Sequence, residues 1–221
     1  MDHRLKETLH ARLSREHGYY RYPAGARTRF VLVYPNSYFV GMSNLGFHII
    51  YDLLNRRDDT ACERAFLPDR TELSRYELTR TPVMSMETQT PLMDFSVIGF
   101  SISFEMDYFH IVKFLMLSHV NPYAAKRTAK DPLIIAGGPC ATFNPEPLAP
   151  LIDAFVIGEG EVIVPALMDA YHAAMQEGGS RSVLLRRLAA VPGVYVPALY
   201  TPSYGADGRF AGMVPAQGAP L

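Results

Sequence analysis

Residues 134–161 read IIAGGPCATFNPEPLAPLIDAFVIGEGE. Two apolar runs, 133–136 and 154–157, stop abruptly at glycines: Gly137-Gly138 after the first, Gly158-Glu159-Gly160-Glu161 after the second. A strand with one wet face alternates polar and apolar residues, whereas these runs are apolar throughout, as a strand buried on both faces must be. Glycine at the exit permits positive φ and close backbone approach. A tight strand-to-loop turn explains that as readily as a ligand does.

The same kind of run recurs along the chain. FVLVYP occupies 30–35, a second strand falls at about 61–67, and FSVIGFSIS occupies 95–103. Helical spacing separates them. Leu45, Ile49, Ile50, Leu53 and Leu54 give an apolar face to a helix that Ser43 or Asn44 can cap. DRTELSRYELTR at 69–80 predicts another helix, and TPVMSMETQTP at 81–91 a short extended piece. Tyr108, Ile111, Val112, Leu115 and Met116 mark the helix after the third strand, and residues 161–176 the helix after the fifth. Buried strands alternating with helices predict an α/β fold with a five-stranded parallel sheet covered on both faces. A flavodoxin-like or Rossmann-like order, 2-1-3-4-5, suits five such units. In that fold ligands lie across the carboxyl ends of the strands, where the order reverses. The turns NSYFVGMSNLG (36–46), SFEMDY (103–108), GGPCATFNPEP (137–147) and GEGE (158–161) should therefore share one rim.

The ends differ. Leu5, Leu9 and Leu13 recur at every fourth position in a short amphipathic helix, expected to dock on this domain. Tyr19, Tyr20, Tyr22 and Pro23 form an aromatic connector. Residues 178–190 are basic and helical, and GVYVPALY and RFAGMV flank Gly205-Ala206-Asp207-Gly208 as a β-hairpin would. The expected division is 1–28 for helix and connector, 29–178 for the sheet domain and 179–221 for a helix and hairpin appendage. The final PAQGAPL reads as a linker, so the chain is expected to continue.

Composition narrows the function. Of 221 residues 48% are hydrophobic and 19% charged, with formal net charge −1, which argues against disorder and against a nucleic-acid or anionic-membrane partner. No apolar run reaches 18 residues and the first residues lack a signal-peptide core. Cys62 and Cys140 form neither a CxxC pair nor a disulfide framework, and they read as buried structural thiols in a cytoplasmic protein. The seven histidines have no metal-ligand spacing. Glu105 and Asp107 read as solvated acids, and Glu159 and Glu161 as helix-start residues favoured by the dipole, or as residues facing another domain.

VYPNSYFVGMSNLGFHIIYDLLN, CERAFLPD, FSVIGFSISFEMDY, PLIIAGGPCATFNPEPLAPLIDAFVIGEGE and GVYVPALY occur in that order. Together they resemble the N-terminal region of B12-binding-domain radical SAM proteins over residues 29–200. The resemblance implies a cobalamin-binding-type domain that precedes a radical SAM barrel. That barrel's CxxxCxxC motif binds a [4Fe-4S] cluster and works with S-adenosylmethionine. This chain has no such motif, so the resemblance implies a module without catalysis of its own, partnered by the barrel of its parent protein. Well-known B12 domains place D-x-H-x-x-G after the first strand. Here the loop is Asn36-Ser37-Tyr38-Phe39-Val40-Gly41, without histidine. Cobalamin bound here would lack a protein histidine on cobalt, with Tyr38, Phe39 and Met42 as its lower wall. The resemblance further nominates Asn36, Ser37, Gly41, Asn44, Ser101, Ser103, Phe104, Gly137, Gly138, Pro139, Gly158, Glu159 and Gly160 for cofactor contact. Ser101 and Ser103 share a strand face, and they can equally serve the backbone at a strand end.

Two other readings stay open at this point. One is a flavodoxin-like domain for another nucleotide such as FMN, although the first loop lacks a Ser/Thr-rich phosphate nest. The other is a structural domain with a vestigial site. A receiver domain is unsupported, because the third strand ends in Phe100-Ser101-Ile102-Ser103 with no aspartate.

Overall fold

The computed structural model describes residues 2–23, 25 and 27–220. Its elements run α1 (His3–Leu13), β1 (Thr28–Tyr34), α2 (Tyr38–Met42), α3 (Leu45–Asn55), β2 (Thr60–Phe66), α4 (Arg70–Thr79), β3 (Val97–Ser101) and α5 (Asp107–Leu117). They continue with β4 (Leu133–Gly137), α6 (Pro139–Phe143), β5 (Ala154–Val156), α7 (Gly160–Gln176), α8 (Arg181–Ala189), β6 (Val194–Tyr195), β7 (Tyr200–Tyr204) and β8 (Phe210–Pro215). Six strands form one sheet in the order β2-β1-β3-β4-β5-β6, and β7-β8 forms a separate antiparallel hairpin. The first five strands are parallel, in the order the alternating pattern predicts.

A sixth, antiparallel strand extends the expected five-stranded parallel sheet. GVYVPALY does not enter the hairpin as a unit. Val194 and Tyr195 pair antiparallel with Val156 and Phe155, and only from Tyr200 does the chain form the hairpin. Tyr195 stacks on Phe155 at 6.1 Å, so ring packing across the sheet edge captures the segment. The 36–46 stretch is likewise more than a turn, because residues 38–42 close one helical turn, α2.

Period two sorts the strand residues to two cores. Phe30, Leu32, Val97, Leu133, Ile135 and Val156 face α1, α3, α7 and α8. Val31, Val33, Ile98, Phe100, Ile134 and Phe155 face Ile111, Phe114 and Leu115 of α5. Leu5, Leu9 and Leu13 of α1 are all buried in the first core, so that helix docks on its own domain. Asn44 caps α3 by accepting a hydrogen bond from the Phe47 amide at 2.9 Å. The buried stripe of α3 is Phe47, Tyr51 and Leu54, not the one centred on Leu45, which is exposed. A cap at Asn44 starts the helix early enough to leave Leu45 in its first turn at the rim.

A buried charge network ties the N-terminal connector to this core. Arg64 of β2 bonds Glu87 at 2.7 Å and Glu16 at 2.7 Å. Its guanidinium lies 4.8 Å from the Tyr51 ring, and Tyr51 donates to Glu87 at 3.0 Å. Tyr38 donates to Glu16 at 2.9 Å, which links α2 to the same network. Arg64 and Glu87 are almost wholly buried, so each depends on the other to offset its desolvation. Glu87→Ala is expected to cost about 3–5 kcal/mol by urea denaturation. The apolar pair Arg64→Met with Glu87→Leu should recover most of that loss. Recovery no better than the single variant would mean the network is not a compensated pair.

A second cluster fixes the helices that matter for the site. Arg57, just past α3, bonds Asp59 at 2.7 Å and Asp169 of α7 at 2.6 Å. It also donates to the Pro165 carbonyl of α7 at 3.3 Å, and His172 of α7 lies 3.0 Å from Asp59. The hydrogen bond from Arg57 holds the Asp59 carboxyl down at about 2. A depressed carboxyl stabilises the fold above its unfolded pKa of about 4, and that stability disappears as pH falls through about 2. Asp59→Asn should therefore flatten the acid limb of a stability-versus-pH curve between those values. The amplitude should stay under about 1 kcal/mol, because the Asp59 side chain is 45% exposed.

Candidate functional site

The loops leaving β1, β3, β4 and β5 meet at the carboxyl edge of the sheet and bound a cleft of ≈ 510 Å³. Its floor is the sheet face carrying Phe30, Leu32, Gly99, Ser101, Ile135, Gly137 and Val156. Ile50 of α3 and Val164 of α7 wall it, and Asn44, Ser103, Pro139, Thr142, Phe143 and Glu159 stand at its mouth. That volume lies in the range of small-molecule sites, roughly 300–1,000 Å³.

Glycines shape the cleft wall at two points where neighbours approach closely. Gly99 pairs with Leu32 on one side and Ile135 on the other, in the middle of the floor. A Cβ on Gly99 would lie 2.7 Å from the Phe30 ring, which is itself buried and cannot retreat. Gly138 is needed for a different reason. Its φ is +100°, and a Cβ there would lie 2.7 Å from the Ile102 carbonyl oxygen. The Ile102 amide donates to the Gly137 carbonyl at 2.9 Å, and the Cys140 amide donates back to Ile102 at 3.3 Å. The exits of β3 and β4 are thus bonded backbone to backbone, which only a bare residue 138 allows. Thr142 ties in the fifth strand's exit by accepting from the Gly158 amide at 3.3 Å.

The polar lining is neutral or acidic. Asn44 donates from Nδ2 to the Ser103 hydroxyl at 3.3 Å, joining the first and third loops. Ser101 and Thr142 add hydroxyls. No lysine, arginine or histidine lines the cleft among the described residues, while Glu159 and Glu161 do. Glu159 sits at the N-cap position of α7, but its side chain makes no capping bond. Both carboxylates are exposed at the mouth.

Nine sequence-nominated residues come together in the lining: Asn44, Ser101, Ser103, Gly137, Gly138, Pro139, Gly158, Glu159 and Gly160. Seven lie outside it. Asn36 donates to Asp107 at 3.1 Å, and its own Oδ1 accepts from the Ser37 amide. The Tyr38 ring packs on Phe66 at 5.3 Å, and a Cβ on Gly41 would lie 2.5 Å from that Phe66 ring. The Met42 sulfur accepts from Arg64 at 3.3 Å. Phe39 and Phe104 are exposed. Tyr38 and Met42 are therefore engaged with the N-terminal network, and among the three proposed wall residues Phe39 alone projects to solvent. Asp107 departs from the solvated expectation, being fully buried between Asn36 and His110. His110 directs Nδ1 to the Pro35 carbonyl at 2.8 Å, and His48 directs Nε2 to the Met42 carbonyl at 2.8 Å. Burial pushes the thiols of Cys62 and Cys140 up, as inert structural cysteines require.

The sequence reading passed over Gly99, Gly46, Ile50 and Val164. Gly99 carried a signal, because a glycine inside an apolar strand marks close approach by another group. The helix residues carried none beyond ordinary core spacing.

Gly138→Ala places a left-handed backbone and a collision on one residue, so it is expected to cost about 1–3 kcal/mol. Thermal unfolding of the variant beside Gly137→Ala, whose added Cβ would meet Val156 only at 3.4 Å, measures the difference. Equal melting of the two would remove the argument for backbone contact at Ile102.

Comparison with known proteins supplies the context. The family described as "Radical SAM proteins, N-terminal" matches residues 46–197, more than half of the chain. An uncharacterized protein of Methanocaldococcus jannaschii, MJ0966, is 28% identical over 131 residues, covering 59% of this chain and 23% of the relative. A solved structure of TsrM from Kitasatospora setae aligns with a TM-score of 0.45 and 18% identity, over 76% of this chain and 28% of that one. TsrM is described as a radical S-adenosylmethionine methyltransferase, with its tryptophan substrate and an S-adenosylmethionine analog bound. The chain thus spans about a quarter of the length of either relative.

Proposed function

The chain belongs to the family of N-terminal domains of radical SAM proteins, and from that premise we propose that it is the cofactor-holding module of such an enzyme, with its cleft receiving cobalamin. The observation that carries this reading is the glycine-lined slot between sheet and helices, open at the rim where four strand exits converge. A large, flat, neutral-faced cofactor can rest across that rim while a slender side arm enters the slot.

The residues present fit such a group. Gly99 lets the Phe30 ring lie against the floor, and Gly137 leaves the floor without a side chain at its carboxyl end. Asn44, Ser101, Ser103 and Thr142 offer hydroxyl and amide groups to a nucleotide arm. No histidine reaches the lining, so cobalt would be held without an imidazole from the described residues. When bound, the corrin would supply methyl-transfer or electron-transfer chemistry to the parent enzyme. This chain's own part is to bind and orient. Its apolar floor of Phe30, Leu32, Ile135 and Val156 excludes water from the arm, and the bonded exits of β3 and β4 hold the rim rigid. S-adenosylmethionine and a [4Fe-4S] cluster would belong to the remainder of the parent protein, and the present chain would catalyse nothing alone.

A free flavin nucleotide fits less well. A phosphate monoester carries close to two negative charges, and among the described residues the cleft offers two carboxylates and no cation.

The test is direct. Hydroxocobalamin is mixed with the protein, excess is removed by desalting, and the visible spectrum is read. The expected result is about one retained corrinoid per chain. Gly99→Val, whose side chain would collide with the Phe30 ring in the cleft floor, should reduce retention at least about tenfold, the effect of about 1.4 kcal/mol. Retained FMN with no retained corrinoid would replace this reading by the flavodoxin-like one.

A further inference from the structure

A second cavity, of ≈ 600 Å³, lies beside the amino-terminal half of β1 and β2 and shares no lining residue with the cleft. It is lined by Arg21 and Tyr22 of the connector, by Arg27 and Arg29 at the entry to β1, and by Glu63 of β2 with Thr88. The volume suits a small molecule, for which roughly 300–1,000 Å³ is usual. Hydrogen bonding argues against a peptide strand. β2 is the edge of the sheet, but its outer backbone is taken. Arg27 donates to the Thr60 carbonyl at 3.2 Å, and Asn55 bonds the amide and carbonyl of Cys62 at 3.0 and 3.1 Å. Arg64 gives its amide to Glu87 at 2.8 Å and accepts from the Met86 amide at 2.7 Å. An added strand would find the carbonyls of Thr60, Cys62 and Arg64 already bonded.

The lining is cationic where that of the cleft is acidic. Arg27 is spent on structure, bonded to the Arg57 and Thr60 carbonyls with its guanidinium 4.1 Å from the Tyr22 ring. Arg21 and Arg29 differ, because neither guanidinium donates a hydrogen bond among the described residues. Arg29 lies 3.6 Å from Glu63, too far to bond it, and 4.4 Å from the Phe95 ring. Glu63 is already occupied, accepting from the Thr88 amide at 3.2 Å and the Thr88 hydroxyl at 2.7 Å. Glu87, also in the lining, is held by Arg64 and Tyr51. Two permanently charged guanidinium forks therefore line the cavity with open donors. The tyrosine hydroxyls are engaged, Tyr20 donating to Asp52 and Tyr22 to the Asn55 carbonyl, each at 2.6 Å. Their stacked rings, 6.3 Å apart and 10° from parallel, give the cavity an apolar wall.

We propose that this cavity is a second ligand site, for a small phosphorylated molecule that carries a planar ring, a nucleoside phosphate by class. A phosphate group brings close to two negative charges and three acceptor oxygens, enough for the forks of both Arg21 and Arg29. The ring would lie against Tyr20 and Tyr22. A phosphate monoester is repelled by Glu159 and Glu161 at the cleft, whereas here arginines outnumber carboxylates and Glu87 is neutralised by Arg64. The site also adjoins the buried charge network, since Glu87 lines the cavity and Arg64 links it to Glu16. Nothing in this assignment requires that the cleft hold cobalamin.

Calorimetric titration of the 221-residue chain with ADP, pyrophosphate and adenosine tests it. ADP is expected to bind at about one site per chain, and adenosine at least about tenfold more weakly. Arg21→Gln and Arg29→Gln should each weaken ADP at least about tenfold, while Arg209→Gln, in the hairpin and 88% exposed, leaves its affinity unchanged. Arg21 is exposed, so its variant should melt with the parent chain, which separates lost binding from lost folding. No heat from either ADP or pyrophosphate would overturn the proposal. So would equal affinity for ADP and adenosine, or ADP affinity untouched by both arginine variants. Hydroxocobalamin retention, measured on Arg21→Gln, should stay at the parent level, so the corrinoid reading and this one can fail separately. Retention lost together with ADP binding would overturn the assignment of two independent sites.

Discussion

Arg57 holds together the two helices under which the cleft lies. It reaches Asp59 at the start of β2, Asp169 and the Pro165 carbonyl on α7, and it follows directly from α3. Arg57 thereby ties the C-terminal end of α3 to the middle of α7. Gly160 then sets the separation at the top, where a Cβ would lie 2.9 Å from Ile50. The slot is the space between this pair of helices and a sheet floor on which the Phe30 ring lies against Gly99. Its geometry depends on a few polar contacts far from the mouth and on the glycines beneath it.

The rim depends on a different constraint. Parallel strands joined by helices send every exit to one edge. Here the exits are also bonded to one another, through Ile102 with Gly137 and Cys140, Asn44 with Ser103, and Gly158 with Thr142.

Much of this was readable in the residues. Apolar runs identified β1, β3, β4 and β5, because a strand covered by helices has no wet face to mark, whereas the edge strand β2 carries Glu63 and Arg64. The glycine pairs at 137–138 and 158–160 located the rim, and nine nominated residues lie in the cleft lining. The loop after β1 was harder. Asn36, Ser37, Tyr38, Gly41 and Met42 looked like ligand residues because they follow the first strand. In the folded chain Tyr38 and Met42 answer to Glu16 and Arg64, partners distant in sequence. Gly41 is small because Phe66 presses on it. Asp107 looked solvated for the same reason, since nothing near it in sequence reveals Asn36 beside its carboxylate.

Local pattern alone determined that this is an α/β chain with parallel strands, glycine-bearing exits and a hairpin near its end. Those properties follow from period, run length and backbone freedom, each of which acts within a few residues. Tertiary structure decided which exits form the lining, why Gly99 must be bare, and that Val194 and Tyr195 leave the hairpin segment to extend the sheet. Such facts depend on contacts between segments separated by tens of residues, and no periodicity along the chain encodes them.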